Sequence, residues 1–149
     1  LDAFAHGWRE RPDDLSTTVK LVMMLGEYMH QNYHGHYYAK AQNLSRQLRD
    51  AYDAVFEEFD VIIMPTLPMT ATKLPAPDCS REENVDKALN MLRNTAPFDC
   101  SGHPAISIPC GMSSAGLPIG MMIFGKRYDD AMVLQAARAF EKTGNWKKM

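Results

Sequence analysis

Apolar positions along this chain fall into helical stripes, short unbroken runs and featureless gaps, and their alternation gives an element order. After a polar lead-in over residues 1–14, Pro12-Asp13-Asp14 followed by Ser16 and Thr17 supplies side-chain acceptors and negative charge for a helix start. Leu15, Val19, Val22 and Met29 share one face of the helix that follows. Leu21, Met23, Met24 and Leu25 widen it, so the pattern predicts burial on more than one side. The cluster His30, His34, Gly35, His36 then breaks the stripe. From Tyr37 the apolar positions Tyr37, Ala41, Leu44, Leu48, Ala51 and Val55 step by four and three toward Phe59, an amphipathic helix of about six turns. Its opposite face, Lys40, Gln42, Arg46, Arg49, Asp50, Asp53 and Glu57, reads as solvated. A stripe of about three heptads that runs straight into a strand packs on a sheet rather than in a coiled coil.

Val61 to Met64 is a continuous apolar run, the pattern of a strand buried on both faces, and Pro65 ends its hydrogen-bonding register. Thr66 to Ser80 holds Pro68, Pro75 and Pro77 without periodicity and reads as a long ordered surface loop. Arg81 to Arg93 returns to helical spacing through Val85, Ala88, Leu89 and Leu92. Pro97 then biases Ala96 away from helical geometry and closes that helix. Ala105–Ile108 and Ile119–Phe124 read as strands, either a hairpin or neighbours in one sheet, joined by a loop with Gly111, Ser113, Ser114 and Gly116. Val133, Ala136, Ala137 and Phe140 form a last helical stripe capped by Asp129 or Asp130, and the polar tail from Thr143 to Met149 is expected to fray. The order is α/β, with helices covering a sheet.

At 149 residues the chain has the size of one domain, and 46% hydrophobic with 23% charged residues is the composition of a folded one. A net charge of −2 gives no footprint for nucleic acid or anionic lipid. Three cysteines, Cys79, Cys100 and Cys110, without C-x-x-C spacing signal neither a disulfide framework nor a zinc site and fit a reducing cytoplasm. The longest apolar run, Leu21 to Leu25, is far short of the roughly 18 residues of a membrane helix.

One stretch is more specific. Pro97-Phe98-Asp99, Gly102-His103-Pro104-Ala105, Ile108-Pro109-Cys110-Gly111, Gly116-Leu117-Pro118-Ile119-Gly120 and Gly125 together resemble the C-terminal block of the amidase signature enzymes. Phe59-Asp60-Val61-Ile62-Ile63-Met64-Pro65-Thr66 resembles that family's strand into a Pro-Thr turn, and the helix from Asp129-Asp130 to Phe140-Glu141 agrees as well. The resemblance implies the C-terminal part of the amidase signature fold, a mixed sheet covered by helices. It also implies hydrolysis of carboxylic amides to acid and ammonia through an acyl-enzyme on a serine, with no metal or organic cofactor. A chain that opens on Leu1 and resembles the end of a longer family is expected to be one C-terminal piece, residues 1–149, of an amidase domain. The implied partners are a small neutral amide, the rest of the amidase polypeptide and, as an option, a second copy in a homodimer.

Candidate chemistry within the chain is sparse. The family's loop of nucleophile, cis-serine and oxyanion hole lies upstream of the resembled block, so Ser113 and Ser114 read as turn residues. None of Lys20, Lys40, Lys73, Lys87 and Lys126 stands in the context of the family's catalytic lysine, so the chain alone is expected to be inactive. Asp99, Ser101 and His103 are too close along a short connector to converge into a relay. His30 and His34 are spaced i, i+4, as a metal would require, but Gly35 and the lack of a third ligand favour a helix junction. By position, the resemblance points to Leu89, Leu92, Thr95 and Ala96 as one wall of the substrate pocket, with core packing the alternative for the two leucines. In the glutamine-using amidotransferase subunits of the family an acidic residue occupies the place of Leu92 and holds the substrate ammonium. A leucine would strand that cation, which favours a neutral amide. Two other readings stay open: a subunit of a glutamine-dependent amidotransferase, and a non-catalytic α/β module binding a protein through its Met-rich first helix.

Overall fold

A computed structural model describes residues 2–148; Leu1 and Met149 lie outside them. Helices α1 (Asp2–Glu10), α2 (Thr17–Tyr33), α3 (His36–Val55), α4 (Arg81–Asn90), α5 (Ala96–Ser101) and α6 (Asp130–Glu141) accompany strands β1 (Val61–Pro65), β2 (Ala105–Met112) and β3 (Pro118–Gly125). The strands pair in the order β1-β3-β2. Where the family resemblance implied a mixed sheet, the strands of the described residues are antiparallel at both joints, because β2 and β3 form a hairpin and β1 enters on the far side of β3. Ile106 lies opposite Ile123 and Ser107 opposite Met122, and the register slips by one residue between Pro109 and Gly111. Proline has no N–H to give the ladder, and the slip absorbs the gap.

Each face of the sheet carries its own cluster. On one, α6 packs Ala137 against Ile108 and Ile123, with Val61, Ile106, Met121, Ala136 and Phe140 around them. The Asp129 carboxylate caps this helix by accepting from the Met132 N–H at 3.2 Å, as the sequence indicates. Strand and helix approach so closely that a Cβ on Gly125 would stand 2.8 Å from Val133 Cγ2. On the other face Phe56, Phe98, Met122 and Phe124 are buried, with Tyr52, Ile62 and Met64 against them. Ring centroids lie 4.2 Å apart for Phe98 and Phe124 and 5.9 Å for Phe56 and Phe124, contacts that add about 0.5–1.5 kcal/mol per pair beyond area burial.

Strand β1 is not buried on both faces as its apolar run suggested. Among the described residues it is an edge strand, paired only with β3, and Ile63 remains 58% exposed although Val61 on the same face joins the α6 cluster. The largest departure is in α3. The face it turns inward is Ser45, Leu48, Arg49, Tyr52 and Asp53, continued by Phe56, at the i, i+3, i+4 spacing of one helical side. Arg49 and Asp53 therefore leave the solvated face assigned to them, while Tyr37 and Leu44 from the apolar stripe stay exposed. Helix α2 starts where expected, with Ser16 Oγ accepting from the Val19 N–H at 3.4 Å, yet none of its residues is buried. It leans on α3 and α4, which leave Val22, Met24 and Leu25 open.

Smaller differences have local causes. Asp2–Glu10 is helical rather than a polar lead-in, and it stops ahead of Pro12, which disfavours helix in the residue before it. Helix α4 ends at Asn90, and Ala96, expected outside helix, opens α5 with Pro97 in the first turn, where a missing N–H costs nothing. The tail does not simply fray: Trp146–Lys148 makes a helical turn lying against β2.

Candidate functional site

Helix α5 ends in a left-handed residue, Gly102 at φ 76°, whose N–H returns to Phe98 O at 2.8 Å. That reversal brings Ser101 and His103 to one side, so the convergence ruled out from their short separation does occur. The Ser101 hydroxyl and His103 Nδ1 are 2.9 Å apart, and His103 Nε2 is 3.3 Å from Asp53 Oδ1. The carboxylate partner is Asp53 from α3, not Asp99. Arg127 holds Asp53 with two bonds, Nη2 to Oδ2 at 2.7 Å and Nε to Oδ1 at 3.2 Å. Arg49 Nε donates to the Ser101 carbonyl at 3.1 Å and Ser45 Oγ to the Cys100 carbonyl at 2.7 Å.

These bonds set the protonation states. The Arg127 guanidinium holds the Asp53 carboxyl below the usual carboxylate range, outweighing the opposing effect of desolvation. Burial pushes His103 below the ordinary histidine value, although the Asp53 carboxylate pulls the other way. A neutral ring then donates from Nε2 to the ionised Asp53 and accepts the Ser101 proton at Nδ1. The order of groups is that of a hydrolytic triad, but Ser101 is 0% exposed and the His103 ring is fully covered. A nucleophile must reach a carbonyl carbon, and no substrate reaches this one. The relay is instead a clamp that ties α3, α5 and the β3–α6 connection together.

The four residues assigned to a substrate wall divide between two places. Leu89 and Leu92, each 48% exposed, line a cavity of about 310 Å³ between α4 and α2, with Val19, Val22 and Met23 across from them. Thr95 lines a separate cleft of about 220 Å³ beside Phe98, Asp99 and Ser107. Ala96 is half-buried and borders neither of these cavities, its N–H on the Leu92 carbonyl at 2.9 Å.

Next to Thr95, at the end of β1, Thr66 of the Pro-Thr turn meets Ser107, neither of them given a site role from the sequence. Thr66 Oγ1 and Ser107 Oγ are 2.6 Å apart, and the pair lines both the Thr95 cleft and a larger one of about 400 Å³. The larger cleft runs under the Thr66–Ala71 loop against Pro118, Ile119 and Gly120. Thr66 is aligned by its N–H to the Gly120 carbonyl at 2.9 Å, and Asn94 Nδ2 fixes the preceding carbonyl of Pro65 at 2.9 Å. No local pattern announces the pair: Ser107 stands opposite Met122 in the ladder, with Gly120 one step along the same face of β3, and the contact with Thr66 is made by the fold alone.

Other candidates resolve as structure. Ser113 closes the β2–β3 turn: its N–H donates to the Leu117 carbonyl at 2.8 Å and its hydroxyl accepts from the Leu117 N–H at 3.1 Å. His34 takes a left-handed conformation, φ 47°, at the end of α2, so His30 and His34 share no continuing helix. No group of three or more metal-ligating side chains occurs among the described residues. No helix among them is long and apolar enough to cross a membrane.

The amidase family model matches residues 5–134, nearly the whole chain. The chain belongs to the amidase signature family. It is 49% identical over 139 residues to an uncharacterized protein in the nthA 5′ region of Rhodococcus erythropolis, covering 93% of this chain and 69% of that protein. It is 48% identical over 144 residues to an enantioselective amidase of Rhodococcus rhodochrous, covering 96% of this chain but 28% of the enzyme. Among solved structures, a glutamyl-tRNA(Gln) amidotransferase subunit from Thermotoga maritima superposes with a TM-score of 0.64 at 30% identity, over 91% of this chain and 29% of that one. This amidase-family chain thus spans between a quarter and a third of the length of the latter two proteins.

Proposed function

We propose that this chain is the C-terminal part of an amidase that hydrolyses neutral carboxylic amides to acid and ammonia through a serine acyl-enzyme. Its catalytic serine, cis-serine and lysine would come from polypeptide outside the chain. The observation that carries this reading is the state of the serine–histidine–aspartate relay, sealed from solvent in a chain that aligns with 28% of an enantioselective amidase. In this reading the chain contributes the sheet, two packed clusters and one wall of the substrate pocket, formed by Leu89, Leu92, Thr95 and Ala96. The open apolar faces of α2 and α3 are the surfaces on which the remaining amidase polypeptide docks. No metal or organic cofactor enters the reaction, and a cytoplasmic enzyme, monomeric or homodimeric, is consistent with the reading.

The alternative, a subunit of a glutamine-dependent amidotransferase, would require a cation partner near Leu92. The cavity that Leu92 lines with Val19, Val22, Met23 and Leu89 offers a substrate ammonium no carboxylate among the described residues, and stranding the charge there would cost several kcal/mol. Ammonia release by the complete polypeptide separates the two: benzamide and short aliphatic amides as substrates, with glutamine poor, supports the neutral-amide enzyme, and a preference for glutamine refutes it. Leu92→Asp in the same polypeptide should depress kcat/KM for the apolar amides. Unchanged selectivity would remove Leu92 from the pocket.

A further inference from the structure

We infer that Thr66 and Ser107 form the polar end of a subsite that binds the neutral amide substrate, and that Gly120 keeps that end open. The inference rests on the amidase reading above and deepens it. Two hydroxyls 2.6 Å apart share one proton between them, so the pair retains a free O–H donor and unspent acceptor lone pairs. Both residues border the cleft of about 400 Å³, a volume in the range of small-molecule sites. Among the described residues no ionisable side chain lines that cleft, so neither a carboxylate nor an ammonium would find a counter-charge there. A carboxamide suits such a pair, because it brings a carbonyl to accept and an N–H to donate. Pro68, Met69, Pro118 and Ile119 supply apolar walls for the remainder of the molecule.

Position in the sheet explains why the pair is open. Thr66 and Ser107 stand on the face that Phe56 and Phe98 cover, at its margin, where Phe98 borders the smaller cleft beside them and Ser107 stays exposed. Gly120 lies across from Thr66 and diagonal to Ser107, and a Cβ there would fall 2.9 Å from Thr66 Oγ1 and 3.2 Å from Ser107 Oγ. Any side chain at this position pushes the hydroxyls apart and fills the space in front of them.

The test uses the complete polypeptide that carries this chain, with benzamide and propionamide as substrates. Thr66→Val and Ser107→Ala each raise KM about fivefold, the loss of one uncharged hydrogen bond, with kcat within about twofold of the parent. Thr66→Ser and Ser107→Thr restore KM, and Gly120→Ala raises it about tenfold or more by displacing both hydroxyls at once. A parent enzyme that turns over both amides while Thr66→Val and Ser107→Ala leave KM unchanged overturns the subsite and spares the amidase reading. If the parent releases no ammonia from any amide, the amidase reading falls, and equilibrium binding of benzamide decides the subsite independently. Binding about fivefold weaker in Ser107→Ala, and stronger to the parent than that of benzoate or benzylammonium, then upholds it; equal binding in parent and variant, or none in either, overturns it.

Discussion

Replacing His103 by phenylalanine separates the shape of the buried ring from its hydrogen bonds. The imidazole is stacked on Phe56 with centroids 5.4 Å apart and planes at 29°, and meets Tyr52 edge-on at 5.4 Å. A phenyl ring keeps those contacts and loses both nitrogens. Asp53 retains its two bonds from Arg127, but Ser101, with no exposed surface, is left with an unpaired hydroxyl. Orphaning a buried hydroxyl costs about 1–3 kcal/mol, so His103→Phe should destabilise by that amount in urea unfolding followed by far-UV circular dichroism. Ser101→Ala strands the Nδ1 lone pair instead and should cost about 1–2 kcal/mol. The double variant removes both partners of one bond, and apolar replacement of a matched pair is far less costly than breaking it. Its destabilisation should therefore fall short of the sum of the singles by about 1 kcal/mol or more. Additivity within about 0.5 kcal/mol would mean that the two side chains do not share a bond and would refute the clamp.

The same histidine sets a pH dependence. Burial lowers its folded pKa beneath the ordinary 6.5, so the unfolded chain takes up the proton first as the pH falls. The stability conferred by neutral His103 is complete above the unfolded pKa and declines as the pH drops through and below it; the urea midpoint should fall from about pH 7.5 to about 5.5 in the parent and stay flatter in His103→Phe. Gly125→Ala should cost about 1–3 kcal/mol in the same assay, because its methyl would meet Val133 Cγ2 at 2.8 Å on the best-packed side of α6. Val22 at 63% and Met24 at 72% exposure predict that the 149-residue chain on its own binds hydrophobic dyes and self-associates. The pair Val22→Glu and Met24→Glu should shift it toward monomer in sedimentation velocity.

How legible each element was depended on which surroundings its pattern reports. Helix α6 and the β2–β3 hairpin bury apolar residues within the chain, so the stripe through Val133 and Ala137 and the existence of both strands were readable from the sequence, and Ile108 and Ile123 prove to be their core positions. Helix α2 carries a stripe as strong, yet its residues stay open here. Hydrophobic pattern predicts a face to be buried whether or not the described residues supply its cover. Helix α3 misleads for the opposite reason: its inward side is held by Arg49, Asp53 and Ser45, whose value lies in bonds to Ser101, Arg127 and Cys100 that no helical period reveals. The relay hinged on Gly102, a turn signal visible in the sequence whose consequence, two side chains two residues apart brought together, is purely three-dimensional. The Thr66–Ser107 contact spans 41 positions and likewise left no local trace.

In the proposed enzyme this chain shapes the pocket for a neutral amide without supplying the nucleophile. Ammonia release from benzamide and propionamide, measured side by side for the 149-residue chain of verified mass and for the complete polypeptide that carries it, decides whether that division of labour holds. The complete polypeptide should release ammonia and the chain alone none. Release by the chain alone, abolished by replacing Ser101, Ser113 or Ser114, would contradict that division, because the nucleophile would then lie among residues assigned here to a buried clamp and a turn.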